Sequence, residues 1–208
     1  GMIERMFSHR TDWQLAPNRL TAAIEEARAL GQPFIDLTIS NPTRAGITYD
    51  GTSILDSLRH DASLDYDPQP KGLLAAREAV ADYYRARKER IDPESLVLTS
   101  GTSEGYSYVF RLLANPGEEI LVPKPSYPLF DFLAELQDVK LIPYPLLYDH
   151  GWQIDFHSLE RAIGPATRGI VLVNPNNPTG SYVSDAEREQ LNDICRQRGL
   201  ALIVDEVF

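Results

Sequence analysis

From Ser95 onward the sequence alternates short apolar runs with segments of helical periodicity, and this order restricts the fold more than any other feature. Apolar runs of strand length occur at 96–98, 120–122, 169–173 and 200–204, and 140–142 is also strand-like. Segments with helical spacing lie at 103–113, 129–136 and 184–198. Strands that alternate with helices form crossover units on a mainly parallel sheet. We therefore predict a three-layer α/β fold with helices on both faces of the sheet.

The first half of the chain is less regular. Helical spacing over 18–30 and 72–87 predicts two helices, and alternation over 34–39 predicts a short strand. The stretch 61–71 is rich in turn-forming residues. No helix follows the last predicted strand, so we expect the fold to be incomplete at the C-terminus.

The composition excludes several classes of protein. A formal net charge of −10 argues against a surface that binds nucleic acid. No apolar run approaches the length of a membrane span, and the first ten residues lack the apolar region of a signal peptide. Cys195 is the only cysteine, which excludes an intrachain disulfide. We expect a cytoplasmic protein that binds neither nucleic acid nor membranes.

The segment SGTSEG (100–105) follows a predicted strand and opens a helix. Gly101, Thr102 and Ser103 lie where free backbone N–H groups and the positive end of the helix dipole converge, an arrangement that suits a phosphate group. The alternative is that Thr102 or Ser103 only caps the helix. The segment is neither a dinucleotide-binding fingerprint nor a Walker loop.

Two further loops follow predicted strands and should open at the same edge of the sheet. In KPSYP, Tyr127 offers an aromatic ring that can stack on a planar ligand, or it packs on the domain surface. In NPNNPTG (174–180), Asn177 offers an amide, although proline and asparagine are also ordinary turn residues. We predict that the Asn177-Pro178 peptide is cis, because this loop must turn sharply and proline lowers the cost of the cis form.

Asp205 stands at the end of the apolar strand ALIVD. A carboxylate that emerges from a buried strand needs a partner, and a protonated pyridine nitrogen is a suitable one. A metal-binding carboxylate or a helix N-cap are the alternatives. The absence of a phosphate-binding lysine loop weakens the metal interpretation, and we expect no metal site.

These four segments occur in the order and approximate spacing of fold-type-I enzymes that use pyridoxal 5'-phosphate (PLP). From about Phe34 to Phe208 the chain resembles the class I/II aminotransferases. The resemblance implies that Gly101, Thr102 and Ser103 bind the phosphate and that Tyr127 stacks on the pyridine ring. It also implies that Asn177 contacts the phenolic oxygen and that Asp205 pairs with the ring nitrogen. By the same resemblance, Lys124-Pro125 is a second candidate for a cis peptide.

The resemblance extends to the N-terminal half and to the domain organisation. Tyr66 is similar to a tyrosine that reaches the phosphate of the neighbouring subunit, which implies a homodimer. Asn41, Pro42 and Thr43 resemble a segment that lines the substrate side. The expected division is an N-terminal segment, 2–50, contributing to a small domain, and a truncated PLP-binding large domain, 51–208. The C-terminal small domain is expected to be absent.

Two departures from the family pattern affect the expected chemistry. Phe208 stands where the family often has a tyrosine that donates to the phenolic oxygen. In the family, the lysine that forms the Schiff base with PLP lies further along the sequence than the position matched by Phe208, and the lysines of this sequence are Lys71, Lys88, Lys124 and Lys140. We therefore predict no catalytic residue in this chain and an aminotransferase fragment that is catalytically incompetent by itself. The alternatives are a PLP-dependent C–S lyase or a non-catalytic, truncated PLP-binding protein.

Overall fold

The computed structural model describes residues 6–207 and contains a five-stranded sheet in the order β3-β2-β1-β4-β5. Neighbouring strands are parallel except β3, which is antiparallel to β2. The predicted mainly parallel sheet is confirmed. The strands are β1 (Glu119–Lys124), β2 (Lys140–Tyr148), β3 (Trp152–Ile154), β4 (Thr167–Val173) and β5 (Ala201–Asp205).

Seven α-helices and three short 3-10 helices occur among the described residues. The α-helices are α1 (Arg19–Ala29), α2 (Gly51–Asp56), α3 (Leu74–Arg85), α4 (Thr102–Leu113), α5 (Phe130–Leu136), α6 (Phe156–Ala162) and α7 (Asp185–Arg198). The 3-10 helices are His9–Thr11, Asp61–Leu64 and Pro93–Ser95.

Helices cover both faces of the sheet, as predicted. Side chains alternate along a strand, so Ile120 and Val122 of β1 face one core while Leu121 faces the other. Helices α4 and α5 contribute buried residues to the first core, and α6 and α7 to the second. This arrangement buries the central strands on both sides and explains why residues 169–173 of β4 read as a continuous apolar run.

The chain divides into two compact units. One unit is Gln14–Val97, and the other contains the sheet and joins residues 6–13 to 98–207. Within Gln14–Val97 the fully buried residues are Arg77 and Ala81. The Arg77 guanidinium donates to the carbonyl oxygens of Gly72 and Pro93 and to the carboxylate of Glu94. The boundary predicted at residues 50/51 stays a prediction.

Two strands predicted from sequence are absent from the structure. Residues 34–39 and 96–98 form neither strand nor helix. Both runs are apolar, but a strand also needs a neighbour for its backbone N–H and C=O groups, and the described residues supply none. Ile35 is 87% exposed and Val97 is 54% exposed, so neither run contributes to a core. The short strand β3, by contrast, was not predicted.

Candidate active site

Three parallel strands bring loops from distant parts of the sequence to one edge of the sheet. Asp205 is the last residue of β5, Tyr127 lies just after β1, and Asn177 lies just after β4. Thr102 begins helix α4. These four residues line one cavity of about 190 Å³ together with two valines, Val173 and Val207.

Asp205 is half-buried at this cavity and is held by two hydrogen bonds. The hydroxyl of Tyr106 donates to Oδ2 over 2.7 Å, and the backbone N–H of Val207 donates to Oδ1 over 3.1 Å. No Lys, Arg or His in the described part of the chain forms an ion pair with this carboxylate. A partly buried carboxylate without a cationic partner at a cavity suits a cationic ligand group.

Tyr106 is a site residue that sequence reasoning missed. It is 5% exposed, and burial together with the bond to Asp205 raises the pKa of its hydroxyl. The group is therefore a neutral donor at physiological pH. One signal was present in the sequence: Tyr106 lies one helical turn after Thr102 and one before Phe110, on the face that becomes buried. A buried tyrosine hydroxyl usually has a hydrogen-bond partner.

Tyr127 lines the cavity and is part of an aromatic cluster with Phe130 and Tyr106. Its ring meets Phe130 edge-to-face with centroids 5.8 Å apart, and Phe130 meets Tyr106 at 5.1 Å. Such edge-to-face contacts are favourable beyond the area they bury. The ring of Tyr127 is thereby supported on one side while it remains half-buried at the cavity.

The N-terminus of α4 has no side-chain cap. Gly101 is the N-cap residue, its backbone is extended, and no side chain bonds the first turn as a cap. The alternative that Thr102 or Ser103 caps the helix is therefore wrong. Helix geometry leaves the first N–H groups without intrahelical acceptors, so they are available to an anion. Thr102 lines the cavity, whereas Gly101 and Ser103 flank it without lining it.

An acidic residue also occupies this first turn. The carboxylate of Glu104 accepts hydrogen bonds from Ser100 at 2.8 Å and from Tyr108 at 2.9 Å. These two bonds hold the pKa of Glu104 below its ordinary value. Its negative charge is therefore present at neutral pH, close to the helix end that suits an anion.

The three asparagines of the NPNNPTG loop differ in role: two form hydrogen bonds within the protein and one lines the cavity. Asn174 Oδ1 accepts from the N–H of Val183, and the amide of the buried Asn176 donates to Thr179 Oγ1 at 2.9 Å. Asn177 is the asparagine that lines the cavity. The peptides before Pro125, Pro175 and Pro178 are cis, which confirms the predictions for Asn177-Pro178 and Lys124-Pro125.

The remaining predicted residues belong to the other compact unit. Tyr66 is 94% exposed. Asn41 and Thr43 form a local turn around Pro42, in which Asn41 Oδ1 accepts from the N–H and the hydroxyl of Thr43.

Phe208 lies outside the described residues, as does any role assigned to it. Among the described residues there is no cluster of acidic, His or Cys side chains that fits a metal ion, and no helix has the length and apolarity to cross a bilayer.

Comparison with known proteins assigns the family. A family model for aminotransferase class I and II matches residues 57–208. The chain belongs to this family. Its members are PLP-dependent enzymes, so the cofactor predicted from the resemblance is the cofactor of the family.

Three relatives illustrate the similarity. The chain is 33% identical to a glutamate-pyruvate aminotransferase of Escherichia coli, over 89% of this chain and 47% of the relative. It is 34% identical to an S-alkyl-thiohydroximate lyase of Arabidopsis thaliana, over 75% of this chain and 34% of the relative. The solved alanine aminotransferase from Pyrococcus furiosus matches with a TM-score of 0.80 at 26% identity, over 97% of this chain and 52% of that structure. The chain thus spans about half the length of these aminotransferases, and a third of the lyase.

The cavity residues fit PLP on their chemistry. The uncapped end of α4 suits a phosphate, and the ring of Tyr127 suits a planar heterocycle. The amide of Asn177 is able to donate to a phenolic oxygen. Asp205, which lacks a cationic partner among the described residues, suits a protonated ring nitrogen.

Proposed function

We propose that this protein acts as a PLP-dependent aminotransferase, transferring an amino group between an amino acid and a 2-oxo acid. The observation that carries the proposal is the shared cavity of Thr102, Tyr127, Asn177 and Asp205. These residues come from four separate segments, and each matches a different group of PLP. Family membership over residues 57–208 supports the same conclusion.

Each residue has a distinct role in this proposal. The first-turn N–H groups of α4, with Gly101 and the hydroxyls of Thr102 and Ser103, bind the phosphate. Tyr127 packs on the ring and excludes water from that face, and Asn177 donates to the phenolic oxygen. Asp205 keeps the proton on the ring nitrogen. When bound, PLP supplies an electron sink for carbanions formed at the substrate α-carbon.

The proposal is tested by measuring PLP affinity of the wild type and of Asp205→Asn. We expect the substitution to weaken binding at least about tenfold, because it removes a charge-assisted interaction in a partly buried site. Asp149→Asn, in the exposed turn between β2 and β3, is the matched control and should bind like the wild type. Equal affinity of all three proteins would contradict the assignment of Asp205.

We further propose a homodimer in which Tyr66 reaches the phosphate site of the neighbouring subunit, and we propose that the Asn41–Thr43 segment lines the substrate side. The exposure of Tyr66 supports this, as do the many exposed apolar side chains of Gln14–Val97, among them Ile35 and Leu37 at 87% and 90%. Sedimentation equilibrium should yield twice the chain mass, and Tyr66→Ala should weaken PLP binding while leaving the dimer intact. A monomer at high concentration would contradict this proposal.

A polypeptide of these 208 residues alone is expected to bind PLP reversibly but not to transfer amino groups. None of the four lysines lines the cavity. Lys71 bonds to Glu94, and Lys140 begins β2 at the opposite edge of the sheet. The test is to add PLP, reduce with borohydride, map modified lysines by mass spectrometry, and assay transfer to a 2-oxo acid. A stoichiometric adduct on one lysine together with robust transfer would overturn this expectation.

Similarity to the Arabidopsis lyase supports a second candidate, C–S bond cleavage on the same cofactor. The two reactions are separated by assaying the product of the full coding region for amino transfer and for release of a thiol from a cysteine conjugate. Thiol release without transfer favours the lyase. A non-catalytic, truncated PLP-binding role, a cytoplasmic location and the predicted large domain at 51–208 stay predictions.

A further inference from the structure

We propose that Tyr106 is a positioning residue of this site: its hydroxyl holds the Asp205 carboxylate in place for the protonated ring nitrogen of the cofactor. The inference rests on the proposed function, because it concerns the same cavity. It adds a residue from the middle of helix α4 to a set of ligand-contacting residues that otherwise come from loops and element ends.

The contact between the two side chains is specific. Tyr106 and Asp205 are 99 residues apart in sequence, and the hydroxyl donates to Oδ2 over 2.7 Å. The other carboxylate oxygen, Oδ1, accepts from the N–H of Val207. Two donors, one to each oxygen, restrict rotation of the carboxylate about its side-chain bond. An ionised carboxylate has about four acceptor positions, so capacity remains for a ligand in the cavity that Asp205 lines.

Packing keeps the donor itself from moving. The Tyr106 ring lies 5.6 Å from Phe110 and 5.1 Å from Phe130, centroid to centroid, and the side chain is almost entirely buried. Phe130 also supports Tyr127, so one aromatic cluster positions both the ring and the carboxylate that face the cavity. Burial and the neighbouring carboxylate raise the pKa of Tyr106, which keeps the proton on the hydroxyl.

Tyr144 provides a matched control. It is also a fully buried tyrosine, and its hydroxyl donates to the carbonyl oxygen of Val171 at 2.6 Å. It belongs to the core on the other face of the sheet. Tyr106→Phe and Tyr144→Phe therefore remove the same atom from two buried sites, but only the first change removes a bond to Asp205.

The experiment compares two ligands that cannot react with an amine. One is 4'-deoxypyridoxine 5'-phosphate, which keeps the phosphate, the phenolic oxygen and the ring nitrogen of PLP. The other is its analogue with C–H in place of the ring nitrogen. Affinities are measured by calorimetry for the wild type, Tyr106→Phe, Asp205→Asn, the double variant and Tyr144→Phe, and thermal unfolding establishes that each variant is folded.

The expected result is a loss of about tenfold in affinity of Tyr106→Phe for the pyridine ligand, the size expected for one hydrogen bond to a charged group. The carbon analogue should bind Tyr106→Phe and wild type alike. In the Asp205→Asn background, Tyr106→Phe should have no further effect, because the two residues act as one unit. Tyr144→Phe should bind both ligands like the wild type.

Three results would overturn the inference. Equal or tighter binding of the pyridine ligand by Tyr106→Phe shows that the hydroxyl does not position Asp205. Equal losses for both ligands, or additive losses in the double variant, show a packing role only. If the wild type binds neither ligand, the proposed function fails and the inference fails with it. If the wild type binds normally and Tyr106→Phe binds equally well, only the inference is contradicted.

Discussion

At the scale of single residues, the candidate site contains two negative charges, and they have opposite effects on the proposed ligand. Asp205 faces a cavity without a cationic partner among the described residues, which favours a cationic ligand group. Glu104 places a second negative charge in the first turn of α4, where the proposed phosphate binds. Hydrogen bonds from Ser100 and Tyr108 lower the pKa of Glu104, so the carboxylate of Glu104 is charged near neutral pH.

Glu104→Gln is therefore expected to strengthen binding of a phosphate-bearing ligand. Removing a like charge near a helix N-terminus is worth about a threefold gain in affinity at low salt, and less at high salt because of screening. The measurement is titration of 4'-deoxypyridoxine 5'-phosphate at two ionic strengths. Glu160→Gln removes the same charge from α6 and serves as the control. A gain equal in both variants would point to net charge rather than to the position of Glu104.

At the scale of elements, side-chain contacts tie the ends of strands and helices together. Glu118, just before β1, bonds Arg168 of β4 at 2.7 Å and accepts from the N–H of Asn115. These contacts lower the pKa of Glu118 from 4.5 to about 2, with the Arg168 hydrogen bond as the largest cause. The ion pair thus joins two neighbouring parallel strands at the edge opposite the candidate site.

This depressed pKa predicts a pH-dependent contribution to stability. Because the folded-state pKa lies below the unfolded one, the contribution is fully present above about pH 4.5 and is lost as pH falls toward 2. The difference in unfolding free energy between wild type and Glu118→Gln should be largest near pH 7 and shrink below pH 4.5. Urea unfolding at several pH values measures it, with Glu119→Gln as the control. A difference independent of pH would rule out the ion pair as its cause.

The capping box of α7 carries a second prediction. Ser184 Oγ accepts from the N–H of Glu187, and Glu187 Oε1 accepts from the N–H of Ser184. Ser184→Ala should lower the free energy of unfolding by about 1 kcal/mol, because it leaves a helix-end donor without a partner. Ser184→Thr keeps the oxygen and should recover most of the loss. Equal stability of the Ala and Thr variants in chemical denaturation would contradict this account.

At the scale of the whole molecule, the two compact units differ in how much they bury. The unit with the sheet contains both apolar cores, whereas Gln14–Val97 fully buries only Arg77 and Ala81 among the described residues. Local stability follows buried apolar contacts and protected hydrogen bonds. Gln14–Val97 is therefore expected to open at a lower free energy than the unit with the sheet.

Hydrogen exchange followed by mass spectrometry should detect this difference. Peptides from β1, β4 and β5 are expected to exchange slowest, and peptides from 14–97 at least about tenfold faster. Repeating the measurement over a range of protein concentrations separates protection within one chain from protection by self-association. Slow exchange throughout 14–97 at every concentration would contradict the prediction, and protection that increases with concentration would support the proposed homodimer.

Local sequence patterns predicted most of the sheet unit. The apolar runs at 120–122, 169–173 and 200–204 coincide with β1, β4 and β5 within one or two residues. Helix α7 begins after the Ser184 cap and ends at Gly199, which adopts the left-handed backbone expected of a C-terminal stop. These signals are short-range: side-chain alternation, capping and backbone freedom depend on residues only a few positions apart.

The tertiary structure alone decided which apolar runs form strands and which side chains meet at the cavity. Residues 34–39 and 96–98 have strand-like sequences but lack a neighbouring strand in the described chain, and hydrogen bonding between strands is not encoded in either run. The bond from Tyr106 to Asp205 likewise spans α4 and β5. The sequence determined the chemical groups and the elements that carry them, because those depend on local pattern. Their meeting in one site depended on the order and register of the parallel strands, which bring residues distant in sequence to a common edge.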